Sequence, residues 1–180
     1  MEDKLLQERI IFINGEINDT SAYDTITKLL YLDSENNEKI SLYINSPGGS
    51  VVEGLAIIDT MNLIKSDVDT YCIGKAYSMG AMILSCGKTR YALENSEIMI
   101  HSPSTSMEGK AEQIEQSTER LKNTKKKLIE ILYKKTNKTK KEIDKNFQKD
   151  TFMTSKEAKE FGIIDKILKS YWFKNKIMIL

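Results

Sequence analysis

Histidine occurs once in this 180-residue chain, at position 101. That scarcity excludes any metal centre built on two imidazoles. It also means that, if imidazole acts as a general base, the residue is His101. Cysteine is nearly as rare. Cys72 and Cys86 lie fourteen positions apart without a CxxC spacing, which argues against a zinc site or a disulfide framework and suits a reducing compartment. Two prolines and nine glycines, in a chain 40% hydrophobic and 29% charged, are too few for a disordered or low-complexity polymer. The net charge of +1 gives no global pull toward nucleic acid or membrane. No apolar run approaches the about 18–20 residues of a membrane helix. MEDKLLQERI opens acidic, unlike the basic start of a signal peptide. The expectation is a soluble, cytoplasmic protein of one domain over 1–180, long enough to bury a full core.

What the chain does have is alternation of short β-rich runs with helical patterns. RIIFIN (9–14), KISLYIN (39–45) and VDTYCIG (68–74) read as strands, with two more near 89–93 and 97–100. A helix starts at Asn18-Asp19, with Ala22, Ile26, Leu29 and Leu30 on its apolar side. Ser50 and Glu53 form an S-x-x-E capping box for a second, running to about Lys65. MGAMILSC (79–86) is a short, fully apolar third. Strands alternating with helices imply right-handed βαβ units and a mostly parallel sheet.

The last third is different. Residues 111–135 carry one long helical pattern whose apolar edge is only Ile114, Leu121, Leu128 and Leu132, leaving much of it to solvent or another subunit. Capping boxes recur at Thr139/Glu142 and Thr154/Glu157, and Gly162 suits a C-terminal cap before a strand at 163–168. Between 122 and 141 nine lysines face one glutamate, Glu130, with Tyr133 as the interleaved aromatic. Without more aromatics, a solvated helix face is preferred over a nucleic-acid patch. The tail YWFKNKIMIL (171–180) is apolar but short, and reads as a buried strand or interface segment.

Three places could carry chemistry. Ser78 sits in GKAYSMG (74–80) where a strand turns into a helix. Serine there can cap the helix, yet the flanking glycines approach the nucleophile elbow G-x-S-x-G. The Met79 N–H, just inside the helix, would face an anion formed at the serine, and Gly80 leaves room for close approach. The SPGGS turn (46–50) can offer the Gly49 N–H as a second donor. It lacks the Lys-Ser/Thr of a phosphate loop. A carboxylate to orient the imidazole is either Asp150, in a loop between capped helices, or Asp165, within the 163–168 strand; spacing alone does not choose. Ser85-Cys86-Gly87-Lys88 fits S-x-x-K but has no companion motif, and the end of an apolar helix explains it.

The ordered blocks LYINSPGGSV, GKAYSMGAMIL, IMIHSP and DTFMTSKEAKEFGIIDKIL resemble the proteolytic subunit of the Clp protease, ClpP, colinearly from about Leu5 to Leu168. The resemblance implies an α/β ClpP/crotonase-type fold of repeated βαβ units with a protruding handle helix. The head would span about 5–100 and 150–168, and the handle about 102–136. It implies a serine endopeptidase with Ser78 as nucleophile, His101 as base and Asp150, rather than Asp165, as the orienting acid. Gly49 and Met79 would form the oxyanion hole, and Gly48, Ser50, Val51, Ser102 and Pro103 would line the substrate strand. No cofactor is implied. ATP belongs to a partner AAA+ unfoldase such as ClpX, ClpA or ClpC, which feeds unfolded protein into two stacked seven-membered rings.

Several positions depart from the family pattern. Only Met1–Lys4 precedes the LLQERIIF block, where members usually carry pore-loop residues. SPSTSMEGK (102–110) lacks paired glycines, Gln148-Lys149 stands in place of an acid-arginine pair, and Tyr77 in place of an alanine. These departures motivate an alternative, a regulatory or structural paralogue within a mixed ring with a second ClpP. A crotonase-like acyl-CoA enzyme shares the fold but gives no reason for a Ser-His-Asp set.

Overall fold

A computed structural model of the chain describes residues 2–104 and 108–169. The apolar tail at 171–180 and part of the 102–110 loop lie outside the described residues. In chain order the elements are α1 (Glu2–Gln7), β1 (Ile10–Asn14), α2 (Asp19–Glu35), β2 (Ile40–Ser46), α3 (Val51–Leu63), β3 (Val68–Tyr77), α4 (Met79–Ser85), β4 (Arg90–Leu93), β5 (Glu97–Ile100), α5 (Ala111–Lys135), α6 (Lys140–Phe147), β6 (Thr151–Thr154), α7 (Ser155–Phe161) and β7 (Lys166–Leu168).

The strands form one sheet in the order β1-β2-β3-β4-β7, and β5 and β6 continue from the far half of β3. All ladders are parallel except β5 with β6. This is the mixed α/β, parallel-dominated sheet that the alternating pattern predicts. Period-2 alternation sorts the two faces. Ile11, Ile13, Ile40, Leu42, Ile44, Cys72 and Ala92 are buried in the core. On the opposite face Phe12, Tyr43, Tyr71 and Tyr91 stack strand to strand, with ring centroids 5.2, 4.6 and 4.7 Å apart. Every residue of α4 is buried, as its unbroken apolar run predicts.

Some expected boundaries move, each for a physical reason. β3 runs three residues past Gly74, to Tyr77, because it serves two neighbours: Thr70–Cys72 pair with β4 and Lys75–Tyr77 with β5. Gly74, at φ +80, sits where the register against β2 shifts between Ile44 and Ser46. It marks a bulge and not a strand end. In α2, Ala22, Thr25, Leu29 and Leu32 are buried, whereas Leu30 is 45% exposed. The stripe thus follows the i, i+3, i+7 face and leaves the adjacent residue outside. The last strand starts at Lys166, so Asp165 precedes it. α1 and β6 have no counterpart in the sequence reading. Along α5 the buried residues are Leu128 and Leu132 alone, and Ile114 is 38% exposed.

The lysine cluster meets acids that a linear count misses. Lys125 reaches Asp144 at 2.6 Å, outside the counted window, and Lys140 reaches Glu130 at 2.5 Å. That Lys140 ammonium holds the Glu130 carboxyl below the usual range.

Arg9 shows how the first strand is anchored. It is buried, with φ +58, and its guanidinium donates to the carbonyls of Leu32, Asn36, Glu38 and Lys39 and to Ser66 Oγ. Leu32 and Asn36 end α2, where the helix dipole favours a cation. Arg9→Met leaves the buried Leu32 carbonyl and Ser66 Oγ, and three partly buried carbonyls, without this donor. It is expected to cost about 2–4 kcal/mol of stability, read as a lower urea midpoint at unchanged m-value.

Candidate active site

At the end of β3 the chain turns through Ser78, with φ +51 and ψ −118. With Arg9 it is one of two non-glycine positive-φ residues among the described residues. A serine in that region costs about 1–3 kcal/mol, so its surroundings must hold it. Its N–H donates to the Met99 carbonyl at 2.8 Å and its carbonyl accepts from Met82 N–H at 3.2 Å. Gly48 presses on the turn from the other side. A Cβ added there would lie 2.7 Å from Ser78 Cβ and 2.8 Å from the Tyr77 carbonyl oxygen, so only glycine fits. The Ser78 hydroxyl makes no capping bond to α4. It lies instead 2.9 Å from His101 Nε2.

Strand register explains how the third group arrives. His101 follows β5, and Asp150 precedes β6. Pairing these strands antiparallel, with Ile100 opposite Thr151, brings residues 101 and 150 face to face just beyond the ladder. Asp150 Oδ1 is 3.3 Å from His101 Nδ1. When Nδ1–H donates to that carboxylate, Nε2 is left to accept from the serine hydroxyl. The Asp150 side chain is 61% exposed, so orientation of the ring, more than ion-pair energy, is what the contact supplies.

Asp165 does something else. Its carboxylate accepts from Arg90 Nη2 at 2.6 Å and Nε at 3.0 Å, while Arg90 Nη1 donates to the Lys135 and Gly162 carbonyls. Arg90 thus ties β4 to the end of α5 and the cap of α7, and Asp165 holds it in place. The guanidinium keeps the Asp165 carboxyl below the ordinary aspartate range. A lowered folded-state value means stability that is present above the unfolded value and lost as pH falls through the folded one. Asp165→Asn is therefore expected to destabilise the protein at neutral pH, with the deficit against wild type closing below the ordinary aspartate range. Urea titrations at several pH values measure this.

Gly49 has φ +147, and its neighbours carry the bonds that tie the turn to Ile17, which donates to the Gly48 carbonyl and accepts from Ser50 N–H, both at 2.8 Å. Neither the Gly49 nor the Met79 N–H has an acceptor among the described residues. The Met79 N–H directly follows the serine, and Gly49 follows Gly48, whose added Cβ would lie 3.2 Å from Met79 N. Of the expected substrate-strand residues, Val51 and Pro103 line an apolar cleft with Ser78, His101, Met82, Leu128 and Phe147. Gly48 is taken up in the turn. Ser50 caps α3 through Glu53 N–H, and Ser102 N–H donates to the Phe147 carbonyl. Sequence reasoning did not assign Met82, Leu128 or Phe147 to the site. Leu128 was visible only as part of the 111–135 stripe, and Phe147 was not singled out.

The competing motifs dissolve in three dimensions. Ser85 is buried and donates to the Met82 carbonyl at 2.7 Å, while Lys88 pairs with Asp67 at the surface. Burial pushes the Cys72 thiol up to about 12 and raises Cys86 as well, which removes both as nucleophiles. Among the described residues no group of three His, Cys, Asp or Glu could hold a metal, and no helix is long and apolar enough to cross a membrane. A roomier hollow between α1, β1 and α2 is lined by Leu6, Phe12 and Lys28 and contains none of the candidate groups. Tyr77, next to the serine, donates its hydroxyl to the Glu97 carboxylate and packs edge-on against Phe152. The family model for Clp protease matches residues 1–171 of the chain.

Proposed function

Because the chain belongs to the Clp protease family, and is thereby a peptidase, we propose that it is a serine endopeptidase in which Ser78, His101 and Asp150 act in sequence on a peptide bond. Ser78 Oγ attacks the scissile carbonyl while His101 Nε2 takes its proton. Asp150 holds the imidazole in the tautomer that leaves Nε2 free and steadies the cation that forms. The Gly49 and Met79 N–H groups stabilise the developing oxyanion. His101 then returns the proton to the leaving amine, and water resolves the acyl-enzyme by the same route in reverse. The observation that carries this reading is the strained Ser78, whose hydroxyl bonds the sole imidazole at 2.9 Å and does not cap its helix.

The family also implies oligomeric assembly and an unfoldase partner. We take the assembly to be two stacked rings of seven, receiving unfolded polypeptide from an AAA+ partner that spends the ATP. The unburied first half of α5, the expected handle, supports the reading because it leaves a helix face for another subunit. A fluorophosphonate probe is expected to form one adduct, at Ser78, located by peptide mass spectrometry. An adduct elsewhere, or none in the assembled protein, counts against the proposal.

One observation favours a second reading. Asp150 is largely exposed and 3.3 Å from the ring, a contact that a neighbouring subunit could tighten. If that neighbour is a different family member, as the atypical Gln148-Lys149 beside Asp150 suggests, the chain works within a mixed ring. Native mass measurement, with peptidase assay of the purified chain alone, separates the two: an active homomeric double ring removes the mixed ring.

A further inference from the structure

We propose that Tyr77 is a positioning residue for the reacting serine, locking the strand that ends at Ser78 to the strand that starts after Asp150. The inference rests on the peptidase reading above. β3, β5 and β6 lie side by side, and their register sets Tyr77, Met99 and Phe152 in one cross-strand row. Lys75, Glu97 and Thr154 form the next row on the same face. The three reacting groups follow directly from the first row. Ser78 is the residue after Tyr77, His101 lies two past Met99, and Asp150 lies two before Phe152.

The backbones of β3 and β6 are two strand spacings apart, about 9.6 Å. The Tyr77 and Phe152 rings nevertheless meet over Met99, at 5.7 Å between centroids and 86° between planes. That is the edge-to-face arrangement that aromatic pairs prefer. Phe152 is 53% exposed, so core burial does not account for its place; Tyr77 does. The phenol hydroxyl donates to Glu97 at the start of β5, and Lys75 Nζ lies 5.7 Å from the ring centre. One side chain therefore touches all three strands that deliver the reacting groups. The Tyr77 side chain is engaged by Glu97 and Phe152 on the neighbouring strands, so it acts on Ser78 through the backbone that joins them. That neighbour is held at φ +51, and a strand end free to shift would relax from it. Small displacements of a reacting atom are costly in rate.

The test is the rate of fluorophosphonate acylation and of peptide turnover in the assembled wild type, Tyr77→Ala, Tyr77→Phe, Phe152→Ala and the double alanine variant. Tyr77→Ala is expected to lower both rates about tenfold with KM unchanged, whereas Tyr77→Phe, which keeps the ring, loses no more than about threefold. Phe152→Ala is expected to fall with it, and the double variant to be no slower than Tyr77→Ala, because the two rings work as a unit. A merely structural role would lower the thermal midpoint without this split between kcat and KM. Wild-type rates in Tyr77→Ala, an effect confined to KM, or full additivity would overturn the proposal. A wild type that is never acylated overturns the peptidase reading and this one together. An acylated wild type matched by Tyr77→Ala overturns this one alone.

Discussion

Ser78→Ala is expected to abolish fluorophosphonate labelling and to lower kcat for peptide hydrolysis by about 10⁴–10⁶-fold, with the protein still folded and assembled. On the proposed mechanism the three groups act as a unit, so that removing the nucleophile leaves only binding and oxyanion stabilisation. The backbone makes a second variant informative. Alanine keeps a side chain at φ +51 and therefore keeps the strain, whereas Ser78→Gly releases it. Ser78→Gly is expected to be equally inactive yet more stable than Ser78→Ala by about 1 kcal/mol. A chemical-denaturation midpoint compares the two. Equal stabilities would mean that the turn is unstrained, and retained peptidase activity in either would mean that the nucleophile lies elsewhere.

Asp150→Asn is expected to reduce kcat by about 10²–10⁴-fold while leaving KM and stability nearly unchanged. The amide keeps an oxygen near Nδ1 but lacks the charge that favours the imidazolium, and its NH₂ can hold the ring in the wrong tautomer. The lower bound reflects the exposed, 3.3 Å contact, which water can partly replace. Asp165→Asn should do the reverse, keeping kcat and losing stability, because its partner is Arg90 and not His101. Together the two substitutions separate the carboxylates that chain spacing alone leaves equivalent. Steady-state kinetics with one peptide substrate, alongside urea titration, decides both. An Asp150→Asn enzyme at full kcat would remove the carboxylate from the mechanism.

The legible parts of the sequence were those set by short-range rules. The apolar run of α4, the reciprocal boxes at Thr139/Glu142 and Thr154/Glu157, and the left-handed Gly162 cap each depend on neighbours within four residues. Ser78 and His101 could be singled out by turn chemistry and by scarcity. What stayed hidden depends on pairing between distant segments. β6 is four residues long with Phe152 exposed, so it has too little alternation to read as a strand until β5 lies beside it. Without β6, the choice between Asp150 and Asp165 has no basis in local pattern. Gly74 misled for a related reason. A glycine in a β-rich run signals an end or a bulge with equal force, and only the second partner of β3 distinguishes them. The tyrosine beside the serine was unexplained in one dimension because both of its partners lie on other strands.

The antiparallel pairing of β5 with β6 also has a consequence for biosynthesis. By the time residue 101 has left the ribosome, the serine and the imidazole both exist, but the carboxylate comes forty-nine residues later, after α5 and α6. The sheet position that β6 fills beside β5 stays open through that interval. On the proposed mechanism a growing chain thus carries an unoriented base until β6 pairs with β5 and brings Asp150 to the ring. On that proposal a member of this peptidase family is, while itself unfinished, not yet able to cut.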